Sequence, residues 1–439
     1  MAGHVKSGDR SMVGSGSTPA PPKPRGRSVT GGRWPASLTR RRLVETVGRL
    51  LKSPLASYYL VLGSAGMLLA IGLLMVASSS SYYSEITYDD EYYVLARQVA
   101  WVAIALPVAW LTSHVKIKTI RRFAVLAFAV AVLMLLLTYA PGLGTTVNGT
   151  QGWLDFGGPF RVQPAEVAKL SLIVWGAHVI ARKGTNLRQW KHVAVPFLPA
   201  AALVIALVVG QNDLGTSLII MAIVLAMLWV LGIPSWLFNL AVGAAALVGL
   251  FFVVSSSNRT TRVLTFLDPF AQSSDAGFQS IHALYALGSG GWWGRGLGAS
   301  REKWGRLPEA HTDFIFAILG EELGLIGTLA VLGLFLALAY AGVRVAMRTR
   351  DRFTCLAAAG ITAWLVAQAL VNLGSVLGLL PVIGVPLPLV SYGGSALMPM
   401  LVAVGLLLRF AKEEPGAKEA LAARRTARRA RRGDSAVRS

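Results

Sequence analysis

The chain has 439 residues, of which 54% are hydrophobic and only 14% charged, and its formal net charge is +21. A soluble protein carries about 25% charge, and several apolar runs here reach the roughly 20 residues that cross a bilayer as a helix. Composition therefore excludes a soluble globular enzyme and predicts an all-α, polytopic integral membrane protein. The basic excess does not form a nucleic-acid surface. It sits in two tails, with Arg40, Arg41, Arg42 and Arg49 in one and Arg424, Arg425, Arg428, Arg429, Arg431 and Arg432 in the other, as expected of cytoplasmic flanks facing anionic lipid.

Residues 1–52, with "GSGSTPAPPKPRGR", read as a disordered basic cytoplasmic tail. They hold no short apolar signal core, so the first span is expected to act as an uncleaved anchor. A membrane domain over 53–411 follows, with spans expected near 57–77, 94–112, 123–140, 165–181, 193–210, 214–232, 236–254, 313–341, 354–376 and 395–411. The remaining 412–439 form a second basic cytoplasmic tail, in which "AKEALAARRTARRARR" suits a helix on the membrane surface. The basic loops "HVKIKTIRR", "RKGTNLRQWKH" and "RVAMRTRDR" belong inside, and the acidic "SEITYDDEYY" outside. Ten spans then leave both termini in the cytoplasm and two long outer loops, 141–164 and 255–312. The single cysteine, Cys355, lies in an apolar run, which argues against a disulfide framework or a cysteine nucleophile.

The second outer loop carries Arg259, Arg262, Arg295, Arg301, Lys303 and Arg306 on the side where positive charge is usually sparse. Long loops escape that bias. Alternatively, the arginines await an anionic substrate such as a lipid pyrophosphate. In "RVQPAEVAKL", Glu166 and Lys169 are three apart on one helix face. They either neutralise each other or orient a headgroup, with Arg161 and Gln163 just before them. In "GQNDLGTS", Asp213 fits a turn former. The glycine-rich "LGSGGWWGRGLGAS" lacks the strand–loop–helix setting of a nucleotide site and reads as a flexible outer loop with Trp292 and Trp293 at headgroup level. "GLLPVIGVPLPLVSYGGSA" contains Pro381, Pro386 and Pro388, so it cannot be one helix. It is expected to be a re-entrant loop bounding a polar cavity.

"GRLPEAHTDFIF" places Glu309, His311 and Asp313 at the mouth of the eighth span. Thr312 or Asp313 could cap that helix. Glu321 and Glu322 follow roughly 12 Å deeper, and carboxylates within a span are functional by default. A carboxylate beside cations that could hold an anionic leaving group is the layout of a transferase acting on a lipid phosphate.

"RLPEAHTDFIFAILGEELG", "QPAEVAK", "QNDLGTS", "GGWWGRGLG" and "LPLVSYGGSA" together resemble the SEDS family, the FtsW, RodA and SpoVE cell-wall polymerases, in order over about 57–411. "PEAHTDFIF" is most similar to the FtsW division branch, and the basic tails suit an actinobacterial member. The resemblance implies a ten-span peptidoglycan glycosyltransferase that polymerises lipid II at the outer face of the cytoplasmic membrane, at the division septum, releasing undecaprenyl pyrophosphate. It implies Asp313 as the essential acid, Glu166 and Lys169 as a pair beside the cavity, and Arg161, Gln163 and Asp213 as further motif positions. Glu309, His311, Arg295, Lys303 and Glu321 are the remaining candidates near substrate. The implied partners are a class B penicillin-binding protein and other divisome proteins. No cofactor is required by this reading; a divalent cation is compatible with carboxylates near pyrophosphate, but no ligand set can be read. The chain departs from the family pattern at Asn212, Ala165 and Gly152, none of them an acid or base of the site. A lipid II flippase, a RodA-like elongation polymerase and a non-catalytic divisome scaffold are the alternatives.

Overall fold

A computed structural model describes residues 53–147, 149–155, 157, 161–183, 190–255, 257–270 and 276–423. The basic segments 1–52 and 424–439 lie outside the described residues, so the expectations for both tails are neither met nor corrected there. Between these ends the chain is an array of apolar helices. In order they are α1 (Ala56–Tyr88), α2 (Tyr93–Thr112), α3 (Ile117–Leu137), α4 (Pro164–Arg182), α5 (Trp190–Gly210), α6 (Leu214–Leu231), α7 (Ser235–Val254), α8 (Ser257–Leu267), α9 (Ala276–Gly290), α10 (Ile315–Arg348), α11 (Arg352–Val376) and α12 (Leu397–Ala411). Among the described residues, nine helices are long and apolar enough to cross a membrane, and the shorter apolar stretch Pro196–Gly210 of α5 occupies the place of the tenth expected span.

The hub is α11, which packs against α4, α6 and α10 and buries Trp364, Gln368 and Asn372. By contrast α7 buries no residue. Its exposed Trp236, Leu240, Leu247, Phe251 and Val254 make a lipid-facing surface, since a helix apolar all round needs no water-facing side.

Three features differ from the sequence expectation. Helix α1 runs 33 residues, well past the apolar run, because its polar end "SSSSYYSEITY" stays helical beyond the hydrocarbon. The first outer loop contains a small antiparallel sheet in the order β1 (Gly144–Val147), β2 (Thr150–Asp155), β3 (Arg161–Val162), pairing Thr145 with Trp153 and Asp155 with Arg161. Helix α10 is broken at Gly324, whose φ of 68° and ψ of −166° leave the helical region. Only glycine takes that conformation cheaply.

The break is closed by the glycine-rich outer loop. Arg295 N–H donates to the Glu321 carbonyl and Gly296 N–H to the Glu322 carbonyl, both at 3.0 Å. Leu325 and Ile326 N–H donate to the carbonyls of Gly291 and Trp292, at 2.9 and 3.3 Å. The backbone groups freed by the break are thereby satisfied by protein, as non-helical backbone in a membrane protein requires. The approach is so close that a Cβ on Gly294 would lie 2.1 Å from the Glu322 carbonyl oxygen, and one on Gly290 would lie 2.0 Å from that of Gly320. The loop is hydrogen-bonded into place rather than hanging free, which corrects the reading of it as a flexible segment; Trp292 and Trp293 do remain exposed.

The segment from Gly378 to Gly393 is non-helical, as its prolines dictate. It is surrounded by protein, with Leu387, Leu389, Val390 and Ser391 all buried. Two glycines admit it. A Cβ on Gly72 of α1 would strike the Leu389 carbonyl at 2.6 Å, and one on Gly215 of α6 would lie 2.8 Å from the side chains of Ile383 and Val385.

Candidate functional site at the outer mouth of the eighth span

Asp313 lies two residues before α10, outside the span itself. The N-cap of α10 is Phe314, with no side-chain cap bond, so neither Thr312 nor Asp313 caps this helix. The turn leading into it is set by Glu309, whose carbonyl accepts from Thr312 N–H at 3.2 Å and Phe314 N–H at 3.1 Å. Glu309 takes a left-handed φ of 54° to do so, and its carboxylate accepts from the Thr312 hydroxyl.

The backbone of this turn is clamped to the re-entrant loop and to α11. Asn372 Nδ2 donates to the carbonyls of Asp313, at 2.7 Å, and Val385, at 2.8 Å. Ser391 Oγ donates to the Thr312 carbonyl at 2.6 Å and accepts from Leu387 N–H at 2.8 Å. Tyr392 N–H donates to the His311 carbonyl at 3.0 Å. One turn deeper, Gln368 Nε2 donates to the Pro386 carbonyl at 3.0 Å, while its Oε1 accepts from Lys169 Nζ at 3.0 Å and Trp364 Nε1 at 2.8 Å. Lys169 also donates to Glu166 Oε1 at 2.7 Å, and both side chains are buried. Glu166 Oε2 and Asn372 Oδ1 have no hydrogen-bond partner among the described residues, so this polar ladder keeps free acceptors in its interior.

Against this heavily bonded frame the Asp313 carboxylate makes no hydrogen bond or ion pair among the described residues. It faces the re-entrant loop at Gly384, where a Cβ would come within 3.5 Å of Oδ2. Burial away from water pushes its pKa up from 3.8 to about 7, helped by the charges of Glu309 and Asp213 and opposed by Arg262. Burial also keeps the His311 imidazole below its usual value, so it is neutral at pH 7.

The other sequence candidates divide into two groups. Asp213 is near enough to act electrostatically on both Asp313 and Glu166, and its carboxylate caps α6 by accepting from Thr216 N–H at 2.9 Å. Gln163 precedes α4 and donates its N–H to Ser395 Oγ at 3.1 Å, tying the first outer loop to the re-entrant segment. Arg161 is paired with Asp155 at 3.0 Å. The Gly157 N–H and then Arg161 hold the Asp155 carboxyl below the usual range.

Arg295, Lys303, Glu321 and Glu322 belong to the loop that closes the α10 break. Glu321 accepts from Ser300 Oγ at 2.6 Å and Arg301 N–H at 3.0 Å, and pairs with Arg295 at 3.3 Å. Glu322 accepts from Ser78 Oγ at 2.6 Å and pairs with buried Lys303 at 3.6 Å. Arg295 and Lys303 thus have their charges met by Glu321 and Glu322.

Arg262 on α8 is different: it is exposed, and it lines a cleft of about 110 Å³ with Phe266, Ser280, Leu377, Pro381 and Val382. The sequence reading missed Gln368 and Asn372. The signal was available, since two amides four residues apart in the apolar run "AWLVAQALVNLG" share a helix face. Among the described residues no three His, Cys, Asp or Glu side chains are grouped to hold a metal ion.

The chain as a whole is similar to known proteins. A profile of the FtsW/RodA/SpoVE family, described as a cell cycle protein, matches residues 59–415. The probable peptidoglycan glycosyltransferase FtsW of Mycobacterium tuberculosis is 38% identical over 381 residues, 86% of this chain and 72% of that protein. Stage V sporulation protein E of Bacillus subtilis is 37% identical over 348 residues, 79% and 94% of the two chains. Among solved structures, a chain of a peptidoglycan synthase complex, studied for structural coordination of polymerization and crosslinking, superposes with a TM-score of 0.65 at 27% identity, covering 80% of this chain and 96% of that one. The rod shape determining protein RodA of Thermus thermophilus superposes with a TM-score of 0.60 at 25% identity, over 81% and 97%. With a family match spanning most of its length, the chain belongs to the FtsW/RodA/SpoVE family.

Proposed function

We propose that this protein is a peptidoglycan glycosyltransferase that polymerises lipid II at the outer face of the cytoplasmic membrane during cell division. The observation that carries the reading is the Asp313 carboxylate, unpaired among the described residues on a backbone fixed by α11 and the re-entrant loop. A general base works best with a pKa near the operating pH, and burial brings this one to about 7. In the reaction Asp313 takes the proton from the 4-hydroxyl of the acceptor disaccharide as that oxygen bonds to the anomeric carbon of the donor. The bond from that carbon to the pyrophosphate oxygen breaks, and undecaprenyl pyrophosphate leaves. A single displacement of this kind needs one base and a good leaving group, not a pair of carboxylates.

Arg262 is the cation we assign to the pyrophosphate, since guanidinium matches phosphate geometry and the adjoining cleft has apolar walls for the first isoprenoid units. Glu166 and Lys169 fix Gln368, which in turn holds the re-entrant loop against Asp313. The relatives' names support peptidoglycan glycosyl transfer, and the synthase-complex neighbour, studied for polymerization and crosslinking, supports a crosslinking partner, which we read as a class B penicillin-binding protein.

The test is polymerisation of lipid II by purified protein, with and without a cognate transpeptidase, beside the Asp313→Ala variant. Glycan strands from the wild type alone are expected. Strands from both would remove Asp313 from the chemistry, and strands from neither would remove the polymerase reading.

A further inference from the structure

Five aromatic rings touch in succession at the Asp313 end of the bundle. Tyr93 stacks on Tyr88 with centroids 4.1 Å apart. Tyr88 meets Tyr83 at 6.3 Å, and Tyr83 stacks on His311 at 4.7 Å with the planes 29° apart. His311 reaches Tyr392 at 5.8 Å. Tyr82 and Trp304, 5.3 Å apart, flank the row. Tyr83, Tyr88, Tyr92 and Trp304 are 44, 41, 60 and 58% exposed, while His311, two residues from Asp313, is buried. The two middle tyrosines of the row, Tyr83 and Tyr88, are therefore exposed, and Tyr83 stacks directly on the buried imidazole beside the proposed base.

We infer that this ridge is a binding subsite for the uncharged sugar rings of a glycan strand. Tyrosine and tryptophan present an apolar face with a polar tip, which suits a pyranose whose ring C–H bonds lie on its faces and whose hydroxyls lie on its rim. Charge narrows the ligand further. Glu85, Asp89, Asp90 and Glu91 are exposed in the same turn and would repel a pyrophosphate while accepting hydrogen bonds from hydroxyls. Among the described residues, the cation brought to the row by a ring contact is Arg97, 5.7 Å from the Tyr93 ring centre.

The ridge is also preorganised. Asp89 takes a left-handed φ of 54° between α1 and α2, and Ser84 Oγ accepts from Val94 N–H at 3.1 Å, so the two helix ends carrying the rings are tied together. Aromatic side chains that merely sit at headgroup level need neither mutual stacking nor a buried imidazole at one end. The inference rests on the glycosyltransferase reading for its ligand class, since a growing strand must have somewhere to lie next to the base.

The experiment uses the full-length protein in lipid nanodiscs and an uncharged hexamer of β-1,4-linked N-acetylglucosamine, with affinity measured by titration calorimetry. Wild type is expected to bind the hexamer more tightly than the dimer. Removing one stacking ring in Tyr88→Leu should weaken binding about tenfold, whereas Tyr88→Phe, which keeps the ring, should stay within about threefold. Asp313→Ala should bind as wild type does. Melting and gel filtration check each variant, and Tyr83→Leu replaces Tyr88→Leu if the latter does not fold. Absence of hexamer binding by wild type, or equal binding by a folded leucine variant, overturns the subsite. A leucine variant that changes only the melting in nanodiscs marks the rings as headgroup anchors and overturns it as well. Hexamer binding needs no turnover, so the two readings fail separately. Polymerisation without hexamer binding removes the ridge alone, and hexamer binding without polymerisation removes the enzyme alone.

Discussion

Asp313→Asn should abolish polymerisation and at the same time make the protein more stable at alkaline pH. In the folded chain desolvation moves the half-buried carboxyl from 3.8 to about 7, with no cationic partner in contact among the described residues. At about 1.4 kcal/mol per tenfold, ionisation is disfavoured in the folded state by up to roughly 4 kcal/mol. The sign follows from proton counting. Below pH 3.8 both folded and unfolded chains hold the proton, and stability is untouched. Between 3.8 and 7 only the folded chain holds it, so stability falls as pH rises, and above 7 the full penalty is in force. Asparagine carries no charge and escapes the penalty at every pH. The difference in unfolding free energy between variant and wild type should therefore grow by roughly 3 kcal/mol from pH 5 to pH 8. Equilibrium unfolding in nanodiscs at the two pH values reads it, and taking the difference cancels every other titrating group. A difference that does not change with pH would refute the reasoning, because it would mean that the carboxylate is already solvated or paired and is no poised base.

Four further outcomes follow from the same geometry. The rate of polymerisation at subsaturating lipid II, which follows kcat/KM, should rise tenfold per pH unit below about 7 and level off above it, as for a base that must lose its proton; a flat profile from pH 5 to 8 would count against Asp313 as base. Asn372→Ala removes the donor to the carbonyls of Asp313 and Val385 and should cost about 1–3 kcal/mol. It should lower kcat more than it raises KM, and the reverse split would show that Asn372 does not position the base. Lys303→Met leaves Glu322 buried without its cation and should destabilise by about 3–5 kcal/mol, with much of the loss recovered in the Lys303→Met/Glu322→Gln double variant, as melting of the three proteins would show. Gly324→Ala places a Cβ 2.3 Å from the Gly294 nitrogen at a φ of 68°. It should abolish the folded protein in detergent gel filtration, while Gly333→Ala on the same helix, with nothing near its Cβ, should not.

The membrane architecture was legible because span length and apolar content need no tertiary knowledge: the expected spans fall on the helices, and the prolines of 378–393 did forbid a helix. Asp213 was legible as a turn residue for the same local reason. What the sequence hid were matters of pairing. Arg295 and Lys303 look like free cations in a row of basic residues, and only the fold brings Glu321, Glu322 and Ser78 to them. Gly324 looks like any glycine in an apolar helix, because its conformation is imposed by a loop some thirty residues earlier in the chain. The length of α1 was underestimated because hydropathy marks where a helix leaves lipid, not where it stops.

The break at Gly324 also separates two lengths that a continuous helix would join. From Leu325 to Arg348 the helix spans about 36 Å at 1.5 Å per residue, enough on its own for a hydrocarbon core of about 30 Å. The short segment Ile315–Leu323 is thus surplus to crossing the bilayer, and its position is dictated by the loops bonded to it. In a thinner or thicker membrane the long segment can tilt to compensate while Asp313 keeps its height relative to the outer loops. The depth of the chemistry is set by protein rather than by lipid, so polymerisation in bilayers of differing acyl length should vary far less than the tilt of the helix that follows it.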